Sequence, residues 1–280
     1  MSRDRIYGEI EEMFGLVPTF FRAIPDSSLE LEWRLFKQAQ FEEGPIPNLC
    51  REVIGLAISA STRCRYCLFY HTEVSKLYGA TEDEIEATVR WVKTCAGWGS
   101  YVNGLQPDFE QFKGEIHQAS EHIRGTLSKG LKPIDTDVQL RWTRDEVYRD
   151  MEEVFGLVPT FFKRVPDRRL AAEWLVVKQE LFGEGPIPIK YRHLIGVALG
   201  AVLRCRLTSF FHTELGKLSG ATDEEIEDAL SYAKSNMSWS AYISGLQTDF
   251  ERFKAEVRRA CKHVMKVRGG ELRHAEMVSR

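Results

Sequence analysis

Apolar positions along this chain recur at three- and four-residue spacing. Phe109, Phe112, Ile116 and Ala119 form one such series, and that period lays them on a single helical face. Val53-Ile-Gly-Leu-Ala-Ile-Ser-Ala60 is apolar almost throughout and predicts a buried helix. The punctuation agrees with helices. Thr81-Glu-Asp-Glu84 and Thr222-Asp-Glu-Glu225 each follow a Gly-Ala turn and place an acid three residues after a threonine, the capping-box spacing that opens a helix. Gly44-Pro-Ile-Pro47 breaks the chain just before a long helix that starts near Asn48. No segment alternates with period two between hairpin turns, as strands would. The pattern predicts an all-α fold.

The chain is written twice. Ile6-Tyr-Gly-Glu-Ile-Glu-Glu-Met-Phe-Gly-Leu-Val-Pro-Thr-Phe20 returns as Val147-Tyr-Arg-Asp-Met-Glu-Glu-Val-Phe-Gly-Leu-Val-Pro-Thr-Phe161, at an offset of 141 residues. Glu43-Gly-Pro-Ile-Pro47 and Gly79-Ala-Thr-Glu-Asp-Glu-Ile85 return at the same offset. A repeat this long describes tandem domains, because solenoid units run about 20–50 residues. The expected organisation is a first helical repeat over 1–127, a linker over 128–144, a second repeat over 145–268 and a polar tail over 269–280. Lys129-Gly-Leu-Lys-Pro-Ile-Asp-Thr-Asp137 interrupts both periodicity and hydrophobicity, which marks the linker. Six or seven helices are expected per repeat.

Composition narrows the function classes. At 280 residues and a net charge of −3, the chain has the length for two ordinary domains and lacks the basic footprint of a nucleic-acid binder. It shows no glycine-rich nucleotide fingerprint. No apolar run approaches the roughly 20 residues of a membrane helix, and Met1-Ser-Arg-Asp-Arg-Ile-Tyr7 lacks the apolar core of a signal peptide. A cytoplasmic location is expected, with neither nucleic acid nor membrane as a partner.

The candidate chemistry is concentrated in Cys64-Arg-Tyr-Cys67-Leu-Phe-Tyr-His71. Two thiols three residues apart can close a disulfide, and a histidine four residues after the second shares its helical face. Glu52 lies twelve residues before the first thiol, at the start of the preceding helix. A thiol where a helix opens meets unpaired N–H groups and the positive end of the dipole, which favours thiolate. Cys67, Cys64, His71 and Glu52 are therefore the candidate catalytic residues of a thiol redox centre with a proton relay. The spacing permits either thiol to attack. The same four groups also suit a tetrahedral zinc site. Cys50, Cys95 and Cys261 fall in apolar helical patterns and read as buried small hydrophobes.

Glu52 followed by Cys64-x-x-Cys67-x-x-x-His71, within an all-helical domain, resembles the alkylhydroperoxidase D-like branch of the carboxymuconolactone decarboxylase superfamily. The entry segment Phe14-Gly-Leu-Val-Pro-Thr-Phe-Phe21 resembles peroxidase-related members of it. The resemblance implies two tandem helical domains of that family and an antioxidant thiol peroxidase. It further implies that Cys67 is oxidised by hydroperoxide, Cys64 resolves it into a disulfide, and His71 and Glu52 relay protons. It implies no cofactor, a dithiol reductant as partner and a homo-oligomer, with a trimer favoured for a two-repeat chain. Where the best-known members carry a histidine just before the second cysteine, this chain has Tyr66, a far weaker base near neutral pH.

The second repeat has lost this set. The positions of Glu52, Cys64, Cys67 and His71 hold His193, Cys205, Thr208 and His212. A lone cysteine and a threonine cannot run a dithiol cycle. His193, Cys205 and His212 are a candidate zinc or copper set if the halves fold alike. Trp98 and Tyr101, with Trp239 and Tyr242, read as core or subunit-contact aromatics, or else as the lining of an apolar pocket. Leu68, Phe69 and Tyr70, with Trp98 nearby, hint at an apolar approach for organic hydroperoxides. Two other functions are open: a non-catalytic or metal-binding member of the fold, and a decarboxylase that needs no dithiol.

Overall fold

In the computed structural model, which describes residues 2–128 and 135–272, the fold is all-α, as the periodicity predicts. The described residues carry thirteen α-helices. The first repeat contributes α1 (Arg3–Phe14), α2 (Thr19–Arg22), α3 (Asp26–Gln40), α4 (Asn48–Thr62), α5 (Arg65–Leu77), α6 (Glu82–Leu105) and α7 (Phe109–Ser128). The second contributes α8 (Arg144–Phe155), α9 (Asp167–Phe182), α10 (Ile189–Val202), α11 (Arg206–Leu218), α12 (Asp223–Gly245) and α13 (Phe250–Leu272), with a 3-10 turn at Phe162–Arg164. Of the expected linker, residues 129–134 lie outside the described residues, as do residues 273–280 of the expected tail.

Local chemistry sets these boundaries. Pro25, Pro47, Pro166 and Pro188 occupy the N-cap positions of α3, α4, α9 and α10 in extended backbone. Their fixed φ delivers the chain into the helix and sacrifices no helical hydrogen bond. Both predicted capping boxes close. Thr81 N–H donates to Glu84 at 2.7 Å while Glu84 N–H donates back to Thr81 Oγ1 at 3.1 Å. Thr222 and Glu225 repeat the exchange. Gly15 ends α1 in the left-handed conformation, φ +70°, where a side chain would be strained.

The chain forms two compact units that cut across the sequence repeats. One comprises residues 1–89 and 227–280, the other residues 90–226. The divisions fall inside α6 and α12, so each unit takes its last helices from the other repeat. In the first unit α13 packs on α5 and α1. Its Glu256 accepts from Thr19 N–H at 2.8 Å, and its His263 donates to the Glu12 carbonyl at 3.0 Å, meeting an acceptor left open by the end of α1. In the second unit α7 packs on α11 and α8. There Glu115 accepts from Thr160 N–H at 2.8 Å and His122 donates to the Glu153 carbonyl at 3.0 Å.

The core of the first unit is aromatic. Phe14, Phe20, Phe21, Trp33 and Phe36 pack with Phe253 of α13 and with Cys64, Tyr66 and Cys67. Edge-to-face contacts dominate, such as Phe21 on Trp33 with ring centroids 5.4 Å apart. The dithiol is therefore built into the wall of the hydrophobic core.

Candidate active site

The site forms where α4 hands over to α5. Arg63 closes α4 in the left-handed region, φ +60°, and Cys64 is the N-cap of α5. Its sulfur accepts from the Cys67 backbone N–H at 3.3 Å and lies 2.9 Å from the Cys67 sulfur. Both thiols are buried, 6% and 5% exposed, and neither is in a disulfide. The Cys67 S–H, donating to it, pushes the Cys64 thiol down to about 5 against the opposing effect of burial. Ser240, the Cys67 N–H and Ser244, whose hydroxyl lies 3.8 Å away, add to the stabilisation. The neighbouring Cys64, as acceptor and as charge, together with burial, drives the Cys67 thiol strongly upward. The pair thus holds one proton between two sulfurs.

His71 lies two turns into α5 and faces α4, where Glu52 Oε2 meets its Nδ1 at 2.7 Å. Gly55 permits this approach, because a Cβ there would sit 2.5 Å from the imidazole. The pair is buried, Glu52 1% and His71 4% exposed. It continues into a polar chain. Tyr232 donates to Glu52 Oε1 at 2.9 Å, Gln40 donates to Tyr232 at 3.3 Å, and Tyr70 donates to Gln40 at 3.1 Å. Burial first, then the Glu52 carboxylate, raises the Tyr232 hydroxyl well above its ordinary range, so it remains a donor. On the far side of the ring, Asn236 Nδ2 lies 2.6 Å from His71 Nε2. With Nδ1–H given to Glu52, Nε2 accepts from this amide. The Asn236 side-chain oxygen is buried without a partner.

Cys67 and His71 line one cavity of about 30 Å³, room for a water or the O–O group of a peroxide. Gln40, Tyr70 and Asn236 supply its polar surface, and Phe20, Phe36 and Trp239 much of the apolar wall. Tyr66, at the position of the family histidine, is a core residue. Its hydroxyl donates to the Thr248 carbonyl at 2.6 Å, and its ring packs on Phe250 and Phe253. Of the residues expected to shape an apolar approach, Tyr70 lines the cavity, whereas Leu68 is exposed and Phe69 packs on Phe250. Trp98 belongs to the unit of residues 90–226. Trp239 takes the expected place, so the second tryptophan segment is pocket lining as well as core.

Two metal expectations are corrected. Among the described residues no group of three His, Cys, Asp or Glu side chains is placed to hold a metal ion. At the first site Glu52 pairs with His71 and Cys64 with Cys67. In the second unit His193 and His212 meet through their Nδ1 atoms at 3.1 Å, but Cys205 does not join them. Its sulfur lies 3.5 Å from the Gly99 carbonyl and accepts from Thr208 at 3.1 Å. The thiol beside His212 Nε2, at 3.4 Å, is that of Cys95, so Cys95 is more than apolar filling. Burial pushes His212 down to about 3, His193 well below its usual value and Cys95 up to about 12, leaving all three neutral.

Sequence reasoning missed Tyr232, Asn236, Ser240 and Ser244, because α12 comes from the other repeat. A signal for three of them exists at the offset of 141. Tyr232, Asn236 and Ser240 correspond to Trp91, Cys95 and Gly99, and Trp91, Cys95 and Gly99 line the cavity beside Thr208 and His212. The polar set on α12 accompanies the intact dithiol, and its less polar counterpart on α6 accompanies the altered one.

Residues 30–107 match the model of the Carboxymuconolactone decarboxylase family. That stretch runs from α3 to α6 and contains Glu52, both thiols and His71. The match and the all-helical fold agree with the resemblance to the alkylhydroperoxidase D-like superfamily. A solved structure from Burkholderia xenovorans LB400, described as a gamma-carboxymuconolactone decarboxylase subunit, has the same fold. It superposes at a TM-score of 0.54 with 14% identity over 92% of this chain and 98% of that one. No curated protein matches the chain. No helix among the described residues is long and apolar enough to cross a membrane.

Proposed function

We propose that this protein is a thiol-dependent peroxidase that reduces organic hydroperoxides through a Cys64–Cys67 disulfide cycle. The observation that carries the reading is the dithiol itself: two sulfurs 2.9 Å apart, one held as thiolate, with the other lining a cavity shared with His71. In the resting monoanion, transfer of the shared proton to Cys64 leaves Cys67 as the thiolate facing the cavity. Its sulfur attacks the terminal peroxide oxygen, so an S–O bond forms as the O–O bond breaks. The departing alkoxide takes the proton held by Cys64, with His71 Nε2 as its carrier, and leaves as alcohol. The Cys64 sulfur, having lost its proton, then displaces hydroxide from the Cys67 sulfenic acid. The S–S bond forms, and the hydroxide takes a proton from solvent to leave as water. Two electrons pass from the dithiol to the peroxide, and an external dithiol returns them.

The test is a count of alkylatable thiols by intact mass, before and after a modest excess of organic hydroperoxide, in wild type and Cys67→Ser. Two thiols should disappear in wild type, return with a dithiol and not disappear as a pair in the variant. An unchanged wild-type count overturns the reading. The matched family's name favours a second reading, decarboxylation of a lactone acid. That activity would survive Cys67→Ser, whereas the peroxidase cycle would not. Self-association, as a trimer, and a cytoplasmic setting belong to the same proposal. A strictly monomeric sedimentation profile at micromolar concentration would remove the trimer.

A further inference from the structure

The unit of residues 90–226 holds a cavity of about 70 Å³, larger than the one beside Cys67. Its walls are Trp91, Trp98, Phe161, Phe162, Val177 and Leu207, with Thr208 and His212 at the positions of Cys67 and His71. At the offset of 141, two positions carry smaller residues here than in the first unit. Phe36 of the first repeat is Val177 here, and Ser240 is Gly99. Loss of the dithiol has therefore not been followed by collapse. A close-packed interior normally fills such space, and an apolar void of this kind forfeits contact energy.

The polarity of the wall defines what fits. His212 and Cys95 in the wall, and His193 against His212, are held neutral by burial. The acid that lines the cavity, Glu180, is paired with Arg90 at 3.3 Å. An ion would thus find no opposite charge free to receive it. Trp91 is 2% exposed, and its indole N–H is buried without a hydrogen-bond partner. A buried donor of this kind costs free energy until an acceptor meets it.

We infer that this cavity is a binding site for a small, neutral, largely apolar molecule with one hydrogen-bond acceptor, which Trp91 Nε1–H serves. The site is separate from the dithiol and does not depend on its chemistry. The size fits a ligand smaller than benzene, which an apolar cavity of about 150 Å³ accommodates.

The test follows the Trp91 indole N–H resonance of the full chain by ¹H–¹⁵N NMR, assigned with Trp91→Phe, during titration with butan-2-one. Butyrate is the charged comparison. The expected result is a saturable shift of the Trp91 signal with butan-2-one and none with butyrate. Val177→Phe, which restores the first repeat's side chain, should weaken binding at least tenfold and leave peroxide oxidation of the dithiol unchanged. If Val177→Phe fails to fold, Gly99→Ala takes its place, since its Cβ would meet Thr208 Oγ1 at 2.9 Å. A linear, unsaturable shift, an equal response to butyrate, or saturation unaltered by the filling variant would overturn the inference.

Discussion

Cys67→Ala isolates the main force that ionises Cys64. In wild type the Cys67 S–H donates to the Cys64 sulfur across 2.9 Å and makes the largest contribution to a thiol pushed down to about 5. The substitution removes that donor and spares the position of Cys64 at the start of α5, the N–H of residue 67 and the Ser244 contact. A hydrogen bond to a charged acceptor is worth about 1.5–3 kcal/mol. At about 1.4 kcal/mol per pH unit, Cys64 should rise by about 1–2 units and titrate near pH 6–7. The assay is the pH dependence of thiolate ultraviolet absorbance and of the iodoacetamide rate. The double variant Cys64→Ala/Cys67→Ala supplies the baseline from Cys50, Cys95, Cys205 and Cys261. A Cys67→Ala midpoint still near 5 would refute the thiol–thiol bond as the cause. A wild-type midpoint near the ordinary thiol value of about 8.5 would refute the ionised pair altogether.

The relay should separate from the thiols. His71→Asn or Glu52→Gln should slow peroxide oxidation by about 10²–10⁴-fold, and Asn236→Ala by about tenfold, the worth of one ordinary hydrogen bond; stopped-flow kinetics would show this, with Cys64 still titrating near 5 in Asn236→Ala. Stability should also depend on pH. The folded Cys64 value lies below the ordinary thiol value of about 8.5, so its contribution is full above that value and lost as pH falls through about 5. Denaturant titrations of wild type and Cys64→Ala should therefore diverge from pH 5 to 9. Above pH 9 wild-type stability should decline, because folded Cys67 stays protonated while the unfolded thiol ionises. Finally, Lys178 is 2% exposed and paired with Asp150 at 2.8 Å, whereas its counterpart Lys37 is 33% exposed and 3.4 Å from Glu9. Asp150→Ala should cost about 3–5 kcal/mol by stranding a buried cation, and Glu9→Ala less than about 1 kcal/mol, by urea titration. Equal costs would show that burial does not separate the two pairs.

Part of the site was readable residue by residue. His71 follows Cys67 by one turn, so their common face needs only the helical period. Glu52 was placed by its distance along the chain and reaches His71 because Gly55 lets the ring lie against α4. Tyr66 was legible as a departure from the family pattern, but its role was not. Only its bond to the Thr248 carbonyl shows it as a core residue. The metal set of His193, Cys205 and His212 failed for a related reason. Matching positions in two repeats share a backbone address, whereas side-chain partners depend on what packs opposite, and opposite His212 stands Cys95.

Sequence alone determined the all-α class, the duplication and the helix starts at Pro and Thr caps, and it singled out Glu52, Cys64, Cys67 and His71 as candidates. Each depends on interactions spanning a few residues, or on a match between two stretches of the same chain. Tertiary structure alone decided which copy of α6 and α7, or of α12 and α13, completes which site. The two repeats present nearly the same surfaces, so a helix from either satisfies the same apolar pattern. The exchange brings Tyr232, Asn236 and Ser240 to the dithiol and Trp91, Cys95 and Gly99 to the site that lost it. Hydrophobic periodicity sets which face of a helix is buried, but it is silent on which copy provides the surface that covers it.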